Sequence, residues 1–234
     1  MAAMPDPVTQ AAAATPPAAN AEILRQLRSL RVLANAFCAA DLAEPADGLA
    51  AIGTATVLAA DAKLFEVIRL LSEGEEVRVA GAAGSRDGVI RRDDLQKLVG
   101  RTWLFGIVTF IEIYMTARIA QRWAEAQWSA RLPAGRLEKC RQVLAERRRR
   151  GQTCELLDCL QLPDKAQLLL DDDEERALFG FDSKTAGKRA TGNLELLRNN
   201  LAHSQEIVSD HWTQIANLAR RIEQTLEATA KLGL

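Results

Sequence analysis

Apolar side chains recur every three or four residues along most of this 234-residue chain, which is the spacing of one face of an α-helix. A first stripe, flanked by arginines, runs from Ala21 to about Ala40. A longer stripe covers residues 101–130, and another runs from Gly192 to Leu226. These patterns predict a chain built mainly from amphipathic and buried helices.

The period changes between residues 52 and 98. A β-branched run ends at Leu58, and apolar residues from Leu64 to Leu71 then follow helical spacing. Glu76 to Ala80 alternates between polar and apolar residues, and Gly88-Val89-Ile90 follows a Gly-rich turn. A charged helix start comes next, so the segment predicts the order β-α-β-β-α. Together with the helical remainder, this order predicts an α+β fold.

The end of this segment reads Gly88-Val89-Ile90-Arg91-Arg92-Asp93-Asp94. It resembles the CBS-domain signature, in which Gly, two apolar residues, Ser or Thr, two variable residues and Asp follow one another. The resemblance implies an adenine nucleotide as regulatory ligand, with Asp94 on its ribose. Arg91 replaces the hydroxyl residue and would grip phosphate through its guanidinium. A degenerate module that only packs or dimerises is the alternative.

Composition divides the chain further. Residues 1–20 are rich in Ala and Pro and hold almost no large apolar side chain, which predicts a disordered arm. Residues 21–98 are then predicted to form the N-terminal helix plus the CBS-like module, and residues 99–234 a helical bundle.

The formal net charge of the chain is −1, so the protein as a whole does not attract nucleic acid electrostatically, and any RNA contact is expected to be local. Four cysteines without a C-x-x-C pair indicate free thiols rather than a zinc site.

The apolar run from Trp103 to Ala120 is long enough to suggest a membrane span. Glu112 lies at its centre, and a carboxylate in lipid is costly. A buried helix of a soluble bundle is therefore the preferred interpretation. Glu112 itself is expected to have a partner, either in a structural salt bridge or as an orienting contact to Arg198 or His203.

The candidate chemistry lies near residue 200. Arg198 is followed five residues later by His203, one of two histidines in the chain. A guanidinium binds phosphate, and histidine is the side chain that ordinarily titrates near neutral pH. We expect His203 on the same inward or interface stripe as the apolar residues that follow it. The other histidine, His211, is predicted to be packed in the core.

Arg198, the polar Asn199, three further residues and His203 resemble the R-x4-H motif of HEPN domains, helical bundles found in many bacterial ribonucleases. The resemblance implies that Arg198 binds phosphate, that His203 is the acid/base and that a homodimer completes the site. No cofactor or metal is implied. Gln205 stands where some HEPN toxins carry a modifiable tyrosine, so regulation by that modification is not expected.

The first hypothesis is a metal-independent endoribonuclease that uses the ribose 2′-OH as nucleophile. Its resemblances suggest a toxin or phage-defence effector gated by the CBS-like module, with an antitoxin or regulatory partner. The second is a non-catalytic nucleotide-sensing or adaptor module that dimerises through the helical bundle. The run Arg147 to Arg150 is explained either by a helix C-terminus or by contact with an RNA backbone.

Overall fold

The computed structural model describes residues 17–45, 57–81 and 87–231. The first part of this described chain contains α1 (Pro17–Ala34), α2 (Ala39–Leu42), β1 (Glu44–Pro45), β2 (Val57–Leu58), α3 (Leu64–Glu73), β3 (Glu76–Val79) and β4 (Gly88–Arg91). A 3-10 helix, Arg92–Gln96, then leads into α4 (Leu98–Arg122), α5 (Glu125–Ser129) and α6 (Ala134–Arg149). A second 3-10 helix, Leu156–Cys159, precedes α7 (Leu162–Leu170), α8 (Asp173–Leu178), α9 (Lys184–Ala202) and α10 (Val208–Lys231).

The four strands form one small sheet in the order β1-β4-β3-β2, so the α+β class is confirmed. Strands β2 and β3 are parallel and joined through α3, while β3 and β4 are antiparallel. In β3, Val77 and Val79 are buried and Glu76 is exposed, which is the alternation of a strand with one covered face. The predicted order of strands and helix in this segment is therefore observed. The predicted strand residues Thr54 to Thr56 lie outside the described residues.

One hydrophobic core joins the sheet to helices from both ends of the chain. Helix α3 buries its apolar stripe, Leu64, Val67, Ile68 and Leu71. Residues of α9 and α10, including Leu197 and Ile215, belong to the same core. The core thus includes residues on both sides of the predicted boundary at residue 98.

Helix α4 connects this core to a second one. Its first half buries Trp103, Leu104 and Ile107 in the first core, while Met115 and Ile119 belong to the second. Most of the remaining residues of the second core come from α5, α6, the second 3-10 helix and α7. Of the described helices, only α4 is long and apolar enough to cross a membrane by length and composition, and 44% of its most apolar window is buried. Within this fold α4 is a core helix.

Two predicted boundaries near the ends of helices were wrong. Helix α1 begins at Pro17 and not at Ala21, so the predicted arm overlaps a helix at its last residues. Proline is compatible with a first helical turn because its missing N–H has no partner there in any case. Residues 1–16 of the predicted arm lie outside the described residues. Helix α9 begins at Lys184 rather than near Gly192, because the Ser183 hydroxyl caps it by accepting from the Ala186 N–H.

Gly100 permits the tight turn from the 3-10 helix into α4. A Cβ at this position would lie 2.6 Å from both Cα and O of Leu95, which are backbone atoms. We expect Gly100→Ala to lower the free energy of unfolding by about 1–3 kcal/mol, because the backbone must shift to relieve the overlap. Urea unfolding monitored by tryptophan fluorescence measures this change.

Gly192→Ala is the matched control. Gly192 lies inside α9 and a Cβ there meets no atom within 4 Å. Alanine should raise stability at this site by up to about 1 kcal/mol through its higher helix propensity. Equal stability changes in the two variants would contradict the packing argument for Gly100.

Candidate functional site

The R-x4-H segment ends a helix and does not continue through it. Helix α9 stops at Ala202, His203 is its C-cap residue and α10 begins only at Val208. The prediction of one helical stripe through His203 was therefore wrong. The helix ends here because Ser204 adopts a left-handed conformation with φ of 54°. Such a residue at the position after the C-cap is typical of a helix terminus, although glycine is its usual occupant.

Two backbone hydrogen bonds complete this terminus. The Gln205 N–H donates to the Asn200 carbonyl at 2.9 Å, and the Ser204 N–H lies 3.5 Å from the Leu201 carbonyl. This is the pairing of a Schellman motif. It fixes the backbone on both sides of His203 without using the imidazole.

Arg198 and His203 both have exposed side chains, as does Asn199. Within the described ranges, neither the Arg198 guanidinium nor the His203 imidazole makes a hydrogen bond or an ion pair. This exposure excludes the inward placement of His203, whereas its placement at an interface between two chains stays a prediction. At 3.6 residues per turn, positions five apart differ by roughly 140° around a helix. One chain therefore does not bring Arg198 and His203 onto the same side of α9.

Arg101, near the start of α4, holds the end of the motif helix. Its Nη2 donates to the carbonyls of Asn200 at 2.9 Å and Leu201 at 3.0 Å, and its Nη1 donates to the Gln205 carbonyl at 2.8 Å. The carbonyls at a helix C-terminus carry partial negative charge. A guanidinium placed on them offsets that charge beside His203. We call this set of contacts the Arg101 clamp.

A second contact joins the same loop to the small module. The Gln96 side-chain amide of the first 3-10 helix donates to the Glu206 carboxylate. That carboxylate also accepts from the Val208 N–H at 2.6 Å and the Ser209 N–H at 3.0 Å, so it caps α10. Residues that immediately follow the CBS-like signature thus contact both sides of the loop that contains His203.

His211 is buried, with 2% of its surface exposed, so its prediction as a core histidine is confirmed. Its Nε2 lies 2.9 Å from Nδ2 of Asn200. An amide nitrogen donates, so with this amide orientation Nε2 accepts and the proton of the neutral ring is on Nδ1. Asn200 also donates to the Glu206 carbonyl at 3.1 Å. His211 therefore contacts the loop that contains His203 from the core side, through Asn200.

Glu112 forms an ion pair with a residue other than Arg198 or His203. Its Oε1 is 3.4 Å from Nζ of Lys165, whose side chain is only 6% exposed. Across the described residues, Glu112 makes no hydrogen bond or ion pair with Arg198 or His203. Of the two interpretations of Glu112, the structural salt bridge is the one that is observed. The pair lines a cleft of about 410 Å³ beside α1 and α4.

Arg91 and Asp94 both have partners inside the chain. Nη2 of Arg91 lies 3.0 Å from Oε2 of Glu76. The Asp94 carboxylate accepts from the Arg91 backbone N–H at 2.6 Å and pairs with Lys97 at 2.6 Å. Partial burial disfavours the charged lysine, but hydrogen bonds and charge attraction from Asp94 and Glu44 outweigh it and raise the pKa of Lys97. These contacts occupy the groups expected to face a nucleotide.

The thiols and the metal-binding side chains give no further site. Burial raises the pKa of Cys140 and Cys159, which makes them poor nucleophiles near neutral pH. In the part of the chain that the structure describes, no three His, Cys, Asp or Glu side chains are grouped so as to hold a metal ion.

Arg101, Gln96 and Glu206 were not predicted from the sequence as neighbours of the motif. Arg101 is about a hundred positions from the carbonyls that it binds, and no periodic pattern marks such a contact. The one local signal was Glu206, because a carboxylate two residues before Val208 can cap a helix.

Arg101→Met is expected to lower the free energy of unfolding by about 1.5–3 kcal/mol, because it removes charge-assisted hydrogen bonds to three carbonyls. Hydrogen exchange at the Ser204 and Gln205 amides should also accelerate, since the end of α9 is no longer held. Arg69→Met is the control, since the Arg69 to Glu73 pair is a long surface contact of 3.9 Å. Equal exchange at residues 204 and 205 in both variants would refute the role of the Arg101 clamp.

Comparison with known proteins gave no match among family models, curated proteins or solved structures.

Proposed function

We propose that this protein is a metal-independent endoribonuclease in which Arg198 and His203 act on RNA. The observation that carries the proposal is that both side chains are exposed at the end of α9 and make no hydrogen bond or ion pair within the described chain. A cation and an imidazole held on a fixed helix terminus, without partners of their own, are free to engage a phosphodiester. The resemblance of the segment to the HEPN motif supports the same assignment.

The chemistry requires no cofactor. The ribose 2′-oxygen attacks phosphorus as its proton passes to a base, and the bond to the 5′-oxygen breaks as that oxygen receives a proton from an acid. The products are a 2′,3′-cyclic phosphate and a 5′-hydroxyl. His203 is assigned to proton transfer, and Arg198 is assigned to the charge that develops on the phosphoryl oxygens. Asn199 fills the polar position after the arginine and donates hydrogen bonds to RNA.

We further propose that the active form is a homodimer. One chain supplies one exposed imidazole to the site, whereas the reaction uses both an acid and a base. In addition, Arg198 and His203 point to different sides of α9. Two motifs facing one cleft resolve both difficulties. Leu196, which is 52% exposed, lies two turns before His203 on the same face of α9 and would provide apolar contact there. Light scattering should then give twice the chain mass of 25.6 kDa.

The small module would regulate this site. Its 3-10 helix contacts Glu206, and the Arg101 clamp begins a few residues later, so a shift of the module would move the loop that carries His203. An adenine nucleotide binding near Arg91 and Asp94 would displace Glu76 or Lys97 from them. By its resemblance to CBS and HEPN proteins, we assign the chain to a cytoplasmic toxin or phage-defence effector, controlled by an antitoxin or regulatory partner.

The test uses two RNAs of one sequence in EDTA, one natural and one with every ribose 2′-O-methylated. The natural RNA should be cleaved by the purified protein, and the methylated RNA should remain intact because its nucleophile is blocked. Cleavage of both RNAs would refute the 2′-OH mechanism. Cleavage of neither, by protein shown to be dimeric and folded, would refute the ribonuclease proposal.

A second candidate is the non-catalytic nucleotide-sensing or adaptor protein. The contact of Gln96 with Glu206 favours it, because the same coupling would transmit nucleotide binding to a dimer interface at the end of α9. Calorimetry with adenine nucleotides bears on this function. It is rejected if no nucleotide binds while RNA is cleaved in EDTA.

A further inference from the structure

A groove on helix α6 is lined by three cationic side chains. It has a volume of about 730 Å³ and runs along the face of α6 that presents Lys139, Val143, Glu146 and Arg150. These positions are spaced by four, three and four residues and therefore share one side of the helix. At 1.5 Å per residue, the distance along the helix from Lys139 to Arg150 is about 16 Å.

The lining of this groove is basic and amide-rich. Three cations line it, Lys139, Arg147 and Arg150, against the single carboxylate of Glu146. Three glutamines also line the groove, Gln142 on α6 and Gln152 and Gln161 on the segment that follows it. Amide and cationic groups are the usual donors to phosphate and sugar oxygens.

The contacts within the groove leave its positive charge available. Lys139 is exposed and makes no ion pair with any residue of the described ranges. Arg147 donates to the Asp158 carbonyl at 3.1 Å, which fixes its position without neutralising it. Glu146 pairs with Arg149 and Arg150, and hydrogen bonds from these arginines hold the pKa of Glu146 below its ordinary value. One carboxylate is therefore shared by two arginines.

A helix dipole alone does not explain this arrangement. Cations in the last turn of α6 complement its C-terminus, but Lys139 lies near the first turns and faces the same groove. The cationic row thus extends along the helix rather than clustering at its end.

We infer that the α6 groove binds the phosphodiester backbone of RNA. No aromatic side chain lines it, so base stacking does not contribute and binding should depend weakly on sequence and strongly on salt. The inference goes beyond the proposed cleavage at Arg198 and His203, since binding here requires no catalysis. If cleavage also occurs, the groove would hold the substrate at a distance from the reacting bond.

The experiment measures binding of a fluorescent 20-nucleotide 2′-O-methyl RNA by anisotropy over a range of salt concentrations. This probe has no free 2′-OH, so its binding is measured whether or not the protein is a ribonuclease. For single strands, the slope of log affinity against log salt changes by about 0.7 for each phosphate contact. In Lys139→Gln/Arg147→Gln/Arg150→Gln, we expect the slope to become shallower by about 2, with at least a tenfold loss of affinity at low salt.

Two further variants guard against misfolding and general charge effects. Lys139→Gln/Arg150→Gln keeps the Arg147 contact to the Asp158 carbonyl and should lose about 1.4 in slope. The control is Arg25→Gln/Arg28→Gln/Arg31→Gln on α1, which removes three exposed cations elsewhere and should bind as wild type does. Glu146→Gln should tighten binding, because it removes the one carboxylate of the groove.

Three results would overturn the inference. The first is an absence of RNA binding by the wild-type chain. The second is an equal loss in the α6 and α1 triple variants, which would show a general charge effect. The third is binding of polyglutamate but not RNA through the same α6 residues, which would assign the groove to an acidic protein.

Discussion

His203→Ala is expected to slow RNA cleavage in EDTA by about 10²–10⁴-fold, because the imidazole is assigned the proton transfers of the reaction. The loss should appear without a large change in stability, since the His203 side chain is exposed and makes no hydrogen bond or ion pair within the described chain. Single-turnover cleavage of labelled RNA gives the rate, and urea unfolding checks the fold. An unchanged rate in this variant would contradict the assignment of His203.

Arg198→Ala should reduce the same rate by a comparable factor, because the charge on the phosphoryl oxygens loses its cation. The matched control is Arg189→Ala. Arg189 is another exposed arginine on α9, nine residues earlier, and it should be dispensable. If the Arg189 and Arg198 variants lose activity equally, the arginines of α9 act through general charge and not through a site.

Arg118→Ala is expected to lower the free energy of unfolding by about 3–5 kcal/mol, the cost of leaving a buried charge without its partner. The Glu175 side chain is 2% exposed, and Arg118 donates to both of its carboxylate oxygens through Nε, at 3.0 Å, and Nη2. This fork ties α4 to α8 at the edge of the second core. Chemical denaturation measures the loss.

Two variants separate the ion pair from general packing. In Arg118→Met/Glu175→Leu, both charges are replaced by apolar groups, and most of the lost stability should return. Arg25→Ala removes a surface arginine that is 69% exposed and should cost no more than about 1 kcal/mol. A cost for Arg118→Ala as small as that for Arg25→Ala would refute the role of the buried pair.

Local patterns in the sequence predicted the elements that bury one regular face. Helix α3 and strand β3 follow their hydrophobic periods, and both were predicted for that reason. Helix ends were less accurate, because a single capping contact such as Ser183 to Ala186 decides where α9 begins. The α+β class could be predicted from the order of helices and strands. The core that α3 and α10 share could not, because it joins distant parts of the chain.

The candidate site shows the same division. The residue types and spacing of Arg198 and His203 are local, and they identified the segment. The break at Ser204 was not predicted, since serine seldom adopts a positive φ and no sequence pattern marks it. The Arg101 clamp is a contact between distant parts of the chain, which only the packing of α4 against α9 creates. Glu112 was correctly expected to need a partner, but nothing local distinguished Lys165 from Arg198.

The chemical ends of the RNA products are the sharpest test of the proposed 2′-OH mechanism. RNA is incubated with the wild-type protein in EDTA, and the fragments are analysed by mass spectrometry. We expect 2′,3′-cyclic phosphate and 5′-hydroxyl ends, formed by wild type and lost in His203→Ala. Fragments with 3′-hydroxyl ends would refute attack by the 2′-OH, and cyclic phosphate ends formed equally by His203→Ala would refute the role of His203.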